Sequence, residues 1–347
     1  MQTLTIGAPD DFHVHFRDNA MLAETVSATA RVFRRGIAMP NLTPPVRTTD
    51  EALAYKRRIL DALPGGCEFE PLMTLYLTDA TTPEQIRQAA ASGILRAVKL
   101  YPAGATTNSE AGVGDLDALY PVFEALQAHD AMLLVHGEVT DAGVDIFDRE
   151  HEFIERHLRR VAAEFPDLRI VLEHISTAEA AEFVSGSGPN VAATITPQHL
   201  LLNRNDMLSG GIKPHYYCLP VLKRRRHQEV LRAAAISGSS KFFLGSDSAP
   251  HEKMAKESAC GCAGCYSAPY ALELYAQVFH ELGALDRLEA FASHYGADFY
   301  GLPRNQGVVK LVQETWSVPE RIEMPDGGTL VPLMAGQQLD WKVQSGA

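Results

Sequence analysis

The sequence predicts a closed (β/α)8 barrel, and three features support this prediction. Short apolar, β-branched runs alternate about eight times with amphipathic stretches along the chain. These runs are too apolar to leave one face in water, which is typical of a parallel sheet covered by helices. A chain of 347 residues is also long enough to bury one large core. A doubly wound open sheet is the alternative fold that this pattern leaves open.

Eight segments have the composition of buried strands. In chain order they are DDFHVHF, GIAMPN, EPLMTLYL, RAVKLYP, AMLLVHGE, RIVLEHIS, NVAATITPQ and KFFLGSDSAP. The stretches with helical periodicity between them are Ala20–Arg34, Thr49–Ala62, Pro83–Ser92, Leu116–His129, Asp148–Glu164 and Lys223–Ile236. Thr82-Pro83 and Ser176-Thr177 are typical helix starts, because a hydroxyl caps free amides and proline is accepted at the first helical position.

Two more helical patterns follow Ala268, and short extended pieces occupy Gln313–Val343. No Ser/Gly-rich or Pro-rich linker precedes these pieces. We therefore expect a single domain over residues 1–347, in which residues 313–347 form a small C-terminal appendage packed on the barrel.

Composition and charge exclude several classes of protein. The chain is 46% hydrophobic and 21% charged, unlike disordered, collagenous or coiled-coil chains. Its net charge of −12 disfavours nucleic acid and anionic lipid as partners. The N-terminus lacks a signal-peptide pattern, and five cysteines do not suggest a disulfide framework in a chain this long. We expect a cytoplasmic protein with reduced thiols, no membrane association and a small-molecule partner.

Side chains that can bind metal ions or substrates collect at the carboxyl ends of the predicted strands. Such ends meet on one face of a barrel, where enzymes of this fold place their active sites. The pattern therefore predicts a functional site built from His13, His15, Asn41, Lys99, His136, His174 and Asp247.

The histidines favour a metal site only when they are taken together. His13 and His15 alternate along a strand, so both imidazoles face the same side and can chelate one Zn²⁺. Alone, such a pair is more often a surface or hydrogen-bonded core pair, and His136 or His174 alone is more often a core histidine. Four histidines on one barrel face would bury polar rings with few partners, and a metal ion would supply one.

Lys99 and Asp247 each allow two interpretations. A buried Lys99 beside cations is disfavoured as an ammonium, so it either extends to the rim or adds CO₂ as a neutral amine. The resulting carbamate could bridge two metal ions, which four histidines and one aspartate cannot fill alone. Asp247 could cap the next segment; its position favours a metal ligand that also acts as general base.

Three other motifs attract attention without changing this prediction. Cys260, Cys262 and Cys265, with Cys218 as a further candidate, could bind a separate metal ion, but their spacing favours oxidation-sensitive thiols. The basic run Lys223–Arg226 is expected to be a solvated helix face. Ser185–Asn190 is expected to be a turn, and no Gly-x-Ser-x-Gly motif indicates a serine hydrolase.

Together these motifs resemble dihydroorotases of the shorter bacterial type (class II) in the amidohydrolase superfamily. PDDFHVHFRD resembles the first family signature, and GSDSAPHEKMAK resembles the second, with Asp247, His251 and Lys256 in register. NLTPP, VKLYPAGATTNS, LLVHGE, LEHIS and CLPVLK lie between them in the family's order. Phe12 and Ala8 depart from the commonest residues, which puts in doubt only the packing beneath the first strand.

The resemblance implies a reaction and a metal centre. The reaction is the reversible cyclisation of N-carbamoyl-L-aspartate to (S)-dihydroorotate plus water in de novo pyrimidine (UMP) biosynthesis. Two Zn²⁺ ions per chain would be bridged by N6-carboxylated Lys99 and a hydroxide, and Asp247 would act as general base and acid. A homodimer is the family expectation. One ion would be bound by His13, His15 and Asp247, and the other by His136 and His174.

The resemblance also implies the substrate contacts. Arg17, Asn41 and His251 would hold the substrate carboxylate, because a guanidinium offers paired donors to a planar carboxylate. His136 and backbone groups near Leu219 and Ala263 would contact the rest of the substrate. Thr106 and Thr107 would lie on a mobile loop that closes and excludes water.

Two other functions stay open at this point. Another cyclic-amide amidohydrolase, of the hydantoinase or allantoinase type, could share the metal ligands but would not need the carboxylate pocket of Arg17, Asn41 and His251. A non-catalytic homologue that serves as a partner-binding scaffold would be expected to lack Lys99 or Asp247, and both are present.

Overall fold

The predicted (β/α)8 barrel is confirmed by the computed structural model, which describes residues 2–344. Eight strands, β2 to β9, pair in parallel in chain order. The chain after β9 then closes the sheet against the end of β2. The strands are β1 (Thr3–Gly7), β2 (Asp10–Val14), β3 (Arg35–Ala38), β4 (Glu70–Tyr76), β5 (Ala97–Leu100), β6 (Met132–Val135), β7 (Ile170–Leu172), β8 (Val191–Ile195) and β9 (Phe242–Leu244).

Two main-chain hydrogen bonds make this closure. The Asp247 amide donates to the His13 carbonyl at 2.9 Å, and the His15 amide donates to the Ser248 carbonyl at 3.0 Å. The open-sheet alternative is therefore wrong.

Helices cover the outside of the barrel. They are α1 (Ala20–Ala30), α2 (Thr49–Asp61), α3 (Pro83–Ala91), α4 (Tyr120–Ala128), α5 (Arg149–Phe153), α6 (Arg159–Glu164), α7 (Ala178–Gly186), α8 (Pro197–Leu201), α9 (Arg204–Leu208), α10 (Arg225–Ala235), α11 (Lys253–Lys256), α12 (Ala271–Glu281) and α13 (Tyr295–Phe299). A π-helical turn over Ile154–Leu158 joins α5 to α6, so the helix predicted over Asp148–Glu164 is nearly continuous. The hydroxyls of Thr82 and Thr177 cap α3 and α7 as expected.

Two predicted helix boundaries are wrong, one by four residues and the other by two. The first helix ends at Ala30 instead of Arg34, because the chain must turn before Arg35 enters β3. There the Arg35 guanidinium forms a buried bidentate pair with Asp10, at 3.0 and 2.6 Å. The helix expected from Lys223 begins at Arg225.

The C-terminal part completes a second sheet with the first strand of the chain. β10 (Val308–Ser317) lies between β1 and β13 (Gln338–Val343) and pairs antiparallel with both. β11 (Ile322–Glu323) and β12 (Thr329–Leu330) form a short hairpin. Trp341 in β13 is fully buried, and the Asp340 amide donates to Gln277 of α12 at 2.9 Å. The division into one domain with an appendage stays a prediction, and residues 345–347 lie outside the described residues.

Phe12 packs at the inner core of the barrel. Its ring lies 4.7 Å from the ring of Tyr300 and 5.3 Å from that of Phe243, measured between centroids. Gly296 in α13 makes room for it, since a Cβ at that position would lie 2.2 Å from a Phe12 ring carbon. The local packing beneath the first strand therefore depends on a glycine as well as on Phe12.

We expect Gly296→Ala to lower the free energy of unfolding by about 1–3 kcal/mol, because the added methyl group overpacks the Phe12 ring. Replacing glycine by alanine inside a helix ordinarily stabilises a protein by up to about 1 kcal/mol. Urea titration followed by circular dichroism measures the effect. Gly186→Ala near the end of α7 is the matched control, because nothing lies within 4 Å of its added Cβ. Equal stability of both variants and the parent would show that the contact with Phe12 is not restrictive.

Candidate active site

Three predicted ligands form one compact group where the barrel closes. The Nε2 atoms of His13 and His15 lie 3.2 Å apart, and each is 3.2 Å from Asp247 Oδ1. His13 is the fourth residue of β2, and His15 follows its end, so the strand alternation aims both rings the same way. All three side chains are buried. They can supply three ligand atoms to one ion.

A second group connects His13 to β7. Glu173 Oε1 lies 3.0 Å from His13 Nδ1, and the other oxygen of the same carboxylate contacts Lys99 Nζ. The ring centroids of His13 and His174 are 5.0 Å apart. Lys99 and Glu173 have no solvent exposure. Lys99 therefore reaches the site from β5 rather than extending to the rim.

His136 completes the set from the end of β6. Its Nε2 lies 2.8 Å from Glu138 Oε2, and its ring centroid lies 4.8 Å from that of His174. Glu138 thus occupies one ring nitrogen and leaves Nδ1 as the atom available to a ligand. The structure brings together His13, His15, Lys99, His136, His174 and Asp247.

Burial and neighbouring charges shift the pKa values of these groups in opposite directions. Burial alone would lower the pKa of His13, but the Glu173 and Asp247 carboxylates raise it to about 9. Burial lowers the pKa of His15 to about 4 and lowers the pKa of Lys99 despite Glu173. Burial disfavours ionised Asp247 too, yet the nearby histidines, His13 foremost, hold its pKa well below the usual range.

These residues fit a metal centre. The Nδ1 atom of His174 is buried without a hydrogen-bond partner among residues 2–344. Three ligand atoms of His13, His15 and Asp247 converge within 4.8 Å of one another, as do those of His13, Glu173 and His174. Imidazole nitrogens and carboxylate oxygens are the ligand types that Zn²⁺ binds at catalytic sites.

A pocket of about 330 Å³ opens over these groups. Its lining includes most of the predicted substrate contacts. The lining residues are His13, His15, Arg17, Asn41, Tyr101, Thr106, Thr107, His136, His174, Leu219, Asp247, Ala249, Ala263 and Gly264.

Arg17 is the cation of this pocket. Its Nε donates to the Pro250 carbonyl at 3.0 Å, and its Nη2 lies 3.1 Å from His251 Nε2. Burial, together with the nearby Arg17 charge, lowers the pKa of His251 to about 3, so His251 is neutral. Both of these Arg17 partners are therefore uncharged.

The predicted mobile loop lies across the pocket. The Asn41 side-chain amide donates to the Thr107 carbonyl at 3.0 Å, while the Thr107 hydroxyl donates to the Ala263 carbonyl at 3.3 Å. The Thr106 amide donates to Ser109 Oγ at 2.8 Å, which folds the loop on itself. The loop thus contacts both walls of the site.

Comparison with known proteins identifies the family of the chain. The model of the amidohydrolase family matches residues 6–311. A dihydroorotase of Shewanella piezotolerans is 64% identical over 345 residues, which cover 99% of this chain and all of the relative. The chain belongs to the dihydroorotase family. The family predicted from the sequence is thereby confirmed.

Solved structures agree with the membership in the dihydroorotase family. Dihydroorotase from Saccharomyces cerevisiae, solved with 5-fluoroorotic acid, is 34% identical with a TM-score of 0.92, and the match covers 99% of each chain. An L-hydantoinase from Arthrobacter aurescens has a TM-score of 0.80 at 17% identity, over 99% of this chain and 86% of that one. That second likeness shows the shared fold alone.

Backbone strain in this dihydroorotase-family chain falls on three site residues. Arg17, His174 and Asp247 have positive φ angles of 59°, 44° and 44°. Such angles cost of order 1–3 kcal/mol each in residues other than glycine, and they persist where surrounding contacts enforce them. At Asp247 the enforcing contact is the hydrogen bond from its backbone amide to the His13 carbonyl, which closes the barrel.

Sequence reasoning missed three buried polar residues of the site: Glu173, Glu138 and Tyr101. Each lies within two residues of a predicted ligand, and that proximity was the available signal. Tyr101 follows Lys99 by two positions and lines the pocket. The centroid of its ring lies 4.9 Å from Lys99 Nζ.

One expectation about the basic run is wrong. Lys223 is only 3% exposed, and its Nζ donates to the Val221 carbonyl at 3.2 Å. Arg224, Arg225 and Arg226 are exposed as expected. Because Lys223 stands in a run of four basic residues, the sequence pattern did not distinguish its buried side chain from those of the three exposed arginines.

The cysteines are free thiols, and two pairs lie close together. Cys260 Sγ and Cys262 Sγ are 3.4 Å apart on the exposed side, while Cys218 and Cys265 are buried. Whether the cluster binds a metal ion or is sensitive to oxidation stays a prediction.

We expect Glu173→Gln to weaken zinc binding roughly 10–100-fold, because Glu173 orients His13 through Nδ1 and so aims Nε2 at the ligand group. Zinc titration of metal-free protein against a competing chelator measures this affinity. Glu150→Gln is the control, since Glu150 is equally buried but accepts from the Ser176 amide, at 3.0 and 3.1 Å. Zinc affinity equal to that of the parent would rule out the orienting role.

Proposed function

We propose that the chain catalyses the reversible cyclisation of N-carbamoyl-L-aspartate to (S)-dihydroorotate and water, a step of de novo pyrimidine biosynthesis. The observation that carries this proposal is a half-buried guanidinium, Arg17, beside a group of metal ligands in one pocket. The hydrogen-bond partners of Arg17 are neutral, so an anionic substrate carboxylate is its natural counter-ion.

The metal centre is proposed as two zinc ions in each chain. His13, His15 and Asp247 would hold one ion, His136 and His174 the other, and carboxylated Lys99 would bridge them. Bound there, the ions would supply a Lewis acid for the amide carbonyl and a nucleophile at neutral pH.

Lys99 suits carboxylation because it is fully buried. Its lowered pKa favours the neutral amine, which is the form that adds CO₂. The product is an anion on a nitrogen that keeps one N–H. That N–H can still donate to Glu173, which now contacts Nζ. Carboxylation thus converts the buried neutral amine to an anion with release of one proton, and Glu173 keeps an N–H partner.

Asp247 is placed to move the proton. Its low pKa keeps the carboxylate ionised at neutral pH, as a general base must be. In hydrolysis of dihydroorotate it would accept the proton of the attacking water and deliver it to the leaving ring nitrogen. In cyclisation it would take the proton from the carbamoyl nitrogen, and the same atoms would be used in reverse.

Substrate orientation would come from the opposite wall of the pocket. Arg17 would bind the carboxylate with paired N–H donors, Asn41 and His251 would add neutral donors, and the backbone near Leu219 and Ala263 would meet the ring edge. Thr106 and Thr107 would cover the site and exclude water. The relative solved with 5-fluoroorotic acid, a ring that carries a carboxylate, supports this assignment.

A hydantoinase-type or allantoinase-type reaction would leave the Arg17 guanidinium unpaired in the pocket, so the geometry favours the carboxylated ring. A non-catalytic scaffold would not require the convergence of six metal ligands, of which Asp247 is one.

The assembly and location are proposed on the family resemblance. We propose a cytoplasmic homodimer with no nucleic-acid or membrane partner. Among the described residues, no helix is both long and apolar enough to cross a bilayer. The acidic net charge of −12 also disfavours anionic surfaces.

We expect the zinc-supplied protein to consume L-dihydroorotate and to leave dihydrouracil, which lacks the carboxylate, essentially unchanged. Arg17→Met should raise KM for dihydroorotate roughly 10–100-fold, the loss expected for hydrogen bonds to a charged group. Loss of absorbance of the substrate amide follows both reactions.

The parent protein and the Arg17 variant should bind the same amount of zinc, which serves as the control for folding. Turnover of dihydrouracil as fast as dihydroorotate, or no turnover of dihydroorotate with two zinc ions bound, would contradict the proposal.

We expect Lys99→Ala to bind less than two zinc ions per chain and to lose at least about 100-fold in turnover, since the ligand shared by both ions is gone. Elemental analysis and native mass spectrometry measure the zinc content, and the latter also shows whether the parent carries the mass of one CO₂. Lys241→Met should keep both ions, because Lys241 lies at the opposite end of β9 from Asp247 and its Nζ donates to the Val184 carbonyl. Two tightly bound ions and full turnover in Lys99→Ala would contradict the bridging carbamate.

A further inference from the structure

Lys256 is a buried cation to which the proposed reaction assigns no role. It ends α11, and only 2% of its surface is exposed. Its Nζ donates to the carbonyls of Tyr217 at 2.8 Å, Cys262 at 2.7 Å and Gly264 at 2.8 Å. An ammonium has three N–H donors and no acceptor, so every donor of Lys256 is used.

These three carbonyls belong to two loops of the pocket. Tyr217 lies two residues before Leu219, on the loop between α9 and α10, and Cys262 and Gly264 flank Ala263 on the loop after α11. Leu219, Ala263 and Gly264 line the pocket. One side chain thus joins the two segments that are proposed to meet the substrate ring.

The bonds also fix the direction of the Ala263 peptide. The carbonyls on either side of Ala263 face Lys256, whereas the Ala263 carbonyl lies 3.0 Å from His251 Nε2 and 3.3 Å from the Thr107 hydroxyl. Turning either neighbouring peptide would break a charge-assisted hydrogen bond in a buried site, which makes this alternation costly to disturb.

Other contacts join the two loops as well, among them the pair of His215 Nε2 and Glu257 Oε1 at 3.0 Å. The Gly264 amide donates to the Tyr217 carbonyl at 3.0 Å, and Cys265 Sγ lies 3.5 Å from the His215 carbonyl. A Cβ on Gly264 would lie 2.3 Å from the Ala249 carbonyl, so the segment has little room to move as a whole. The orientation of the peptides at Cys262 and Gly264 is therefore set by the hydrogen bonds that their carbonyls accept from Lys256.

We propose that Lys256 is a positioning residue for substrate recognition: it orients the backbone at Ala263 and Leu219 toward the ring edge of the bound substrate. The substrate named here rests on the proposed function, while the joining of the two loops does not. Because Lys256 contacts neither the metal ligands nor the carboxylate pocket directly, its removal should affect binding more than the chemical step.

Lys256→Met tests the proposal, because Met keeps an unbranched apolar side chain and removes all three donors. KM for dihydroorotate should rise about tenfold or more, while kcat changes less than threefold and the zinc content does not change. Amide hydrogen exchange should accelerate in the segments 213–219 and 259–265. Lys256→Gln, which keeps two of the donors, decides in the same assays if the Met variant does not fold.

Lys241→Met is the matched control. Lys241 also donates to main-chain carbonyls of a neighbouring element, those of Val184 and Ser187, but it lies before β9, away from the pocket. It should leave KM and the exchange of both loop segments unchanged. Unchanged KM and unchanged loop exchange in Lys256→Met would overturn the proposal.

The two proposals fail in different ways. A parent protein that does not turn over dihydroorotate overturns the proposed function. The hydrogen-exchange comparison of Lys256→Met with Lys241→Met still decides whether Lys256 joins the loops.

Discussion

The closure of the barrel between β2 and the chain after β9 is the constraint on which the site depends. The His13 carbonyl accepts the Asp247 amide at 2.9 Å, so the backbone bond that closes the sheet joins two residues of the ligand group. Asp11 strengthens the same junction, since its carboxylate accepts the Ser246 amide at 2.8 Å and the Ser246 hydroxyl at 2.5 Å. A shift in this pairing would move His13 and Asp247 apart, because strand register sets side-chain direction. The contacts that close the barrel therefore also set the positions of His13 and Asp247 relative to each other.

Charge compensation explains the rest of the site. Glu173 lies between Lys99 and His13, and Glu138 pairs with His136, so each of these carboxylates has a polar partner in the protein. Arg17 differs, because it contacts Pro250 and His251 and has no carboxylate partner among residues 2–344. The carboxylates beside the metal ligands thus have partners in the protein, whereas the Arg17 guanidinium can pair with an anion. Such a site is suited to a substrate with a carboxylate.

Much of the fold and the ligand set could be predicted because both depend on local periodicity. Alternation along a strand places His13 and His15 together, and the common carboxyl edge of parallel strands brings in His136, His174 and Asp247. Glu173 and Lys256 were not assigned roles, since their importance lies in contacts with residues distant in sequence. Lys223 was wrongly placed at the surface because its arginine neighbours dominate the local pattern. α1 ends early because Arg35 pairs with Asp10 on β2. Helix propensities describe single residues in a helix and do not include such a contact.

The small sheet that joins β1 to β10 has a consequence for synthesis of the chain. Thr3 pairs with Val312, so the partner of the first strand leaves the ribosome about 300 residues later. At cellular rates of translation this interval is roughly 15–60 s. Throughout it, the nascent β1 has no strand beside it, and its exposed edge can pair with other chains. Its short length of five residues, and the alternation of exposed threonines with apolar residues, limit that hazard until β10 arrives.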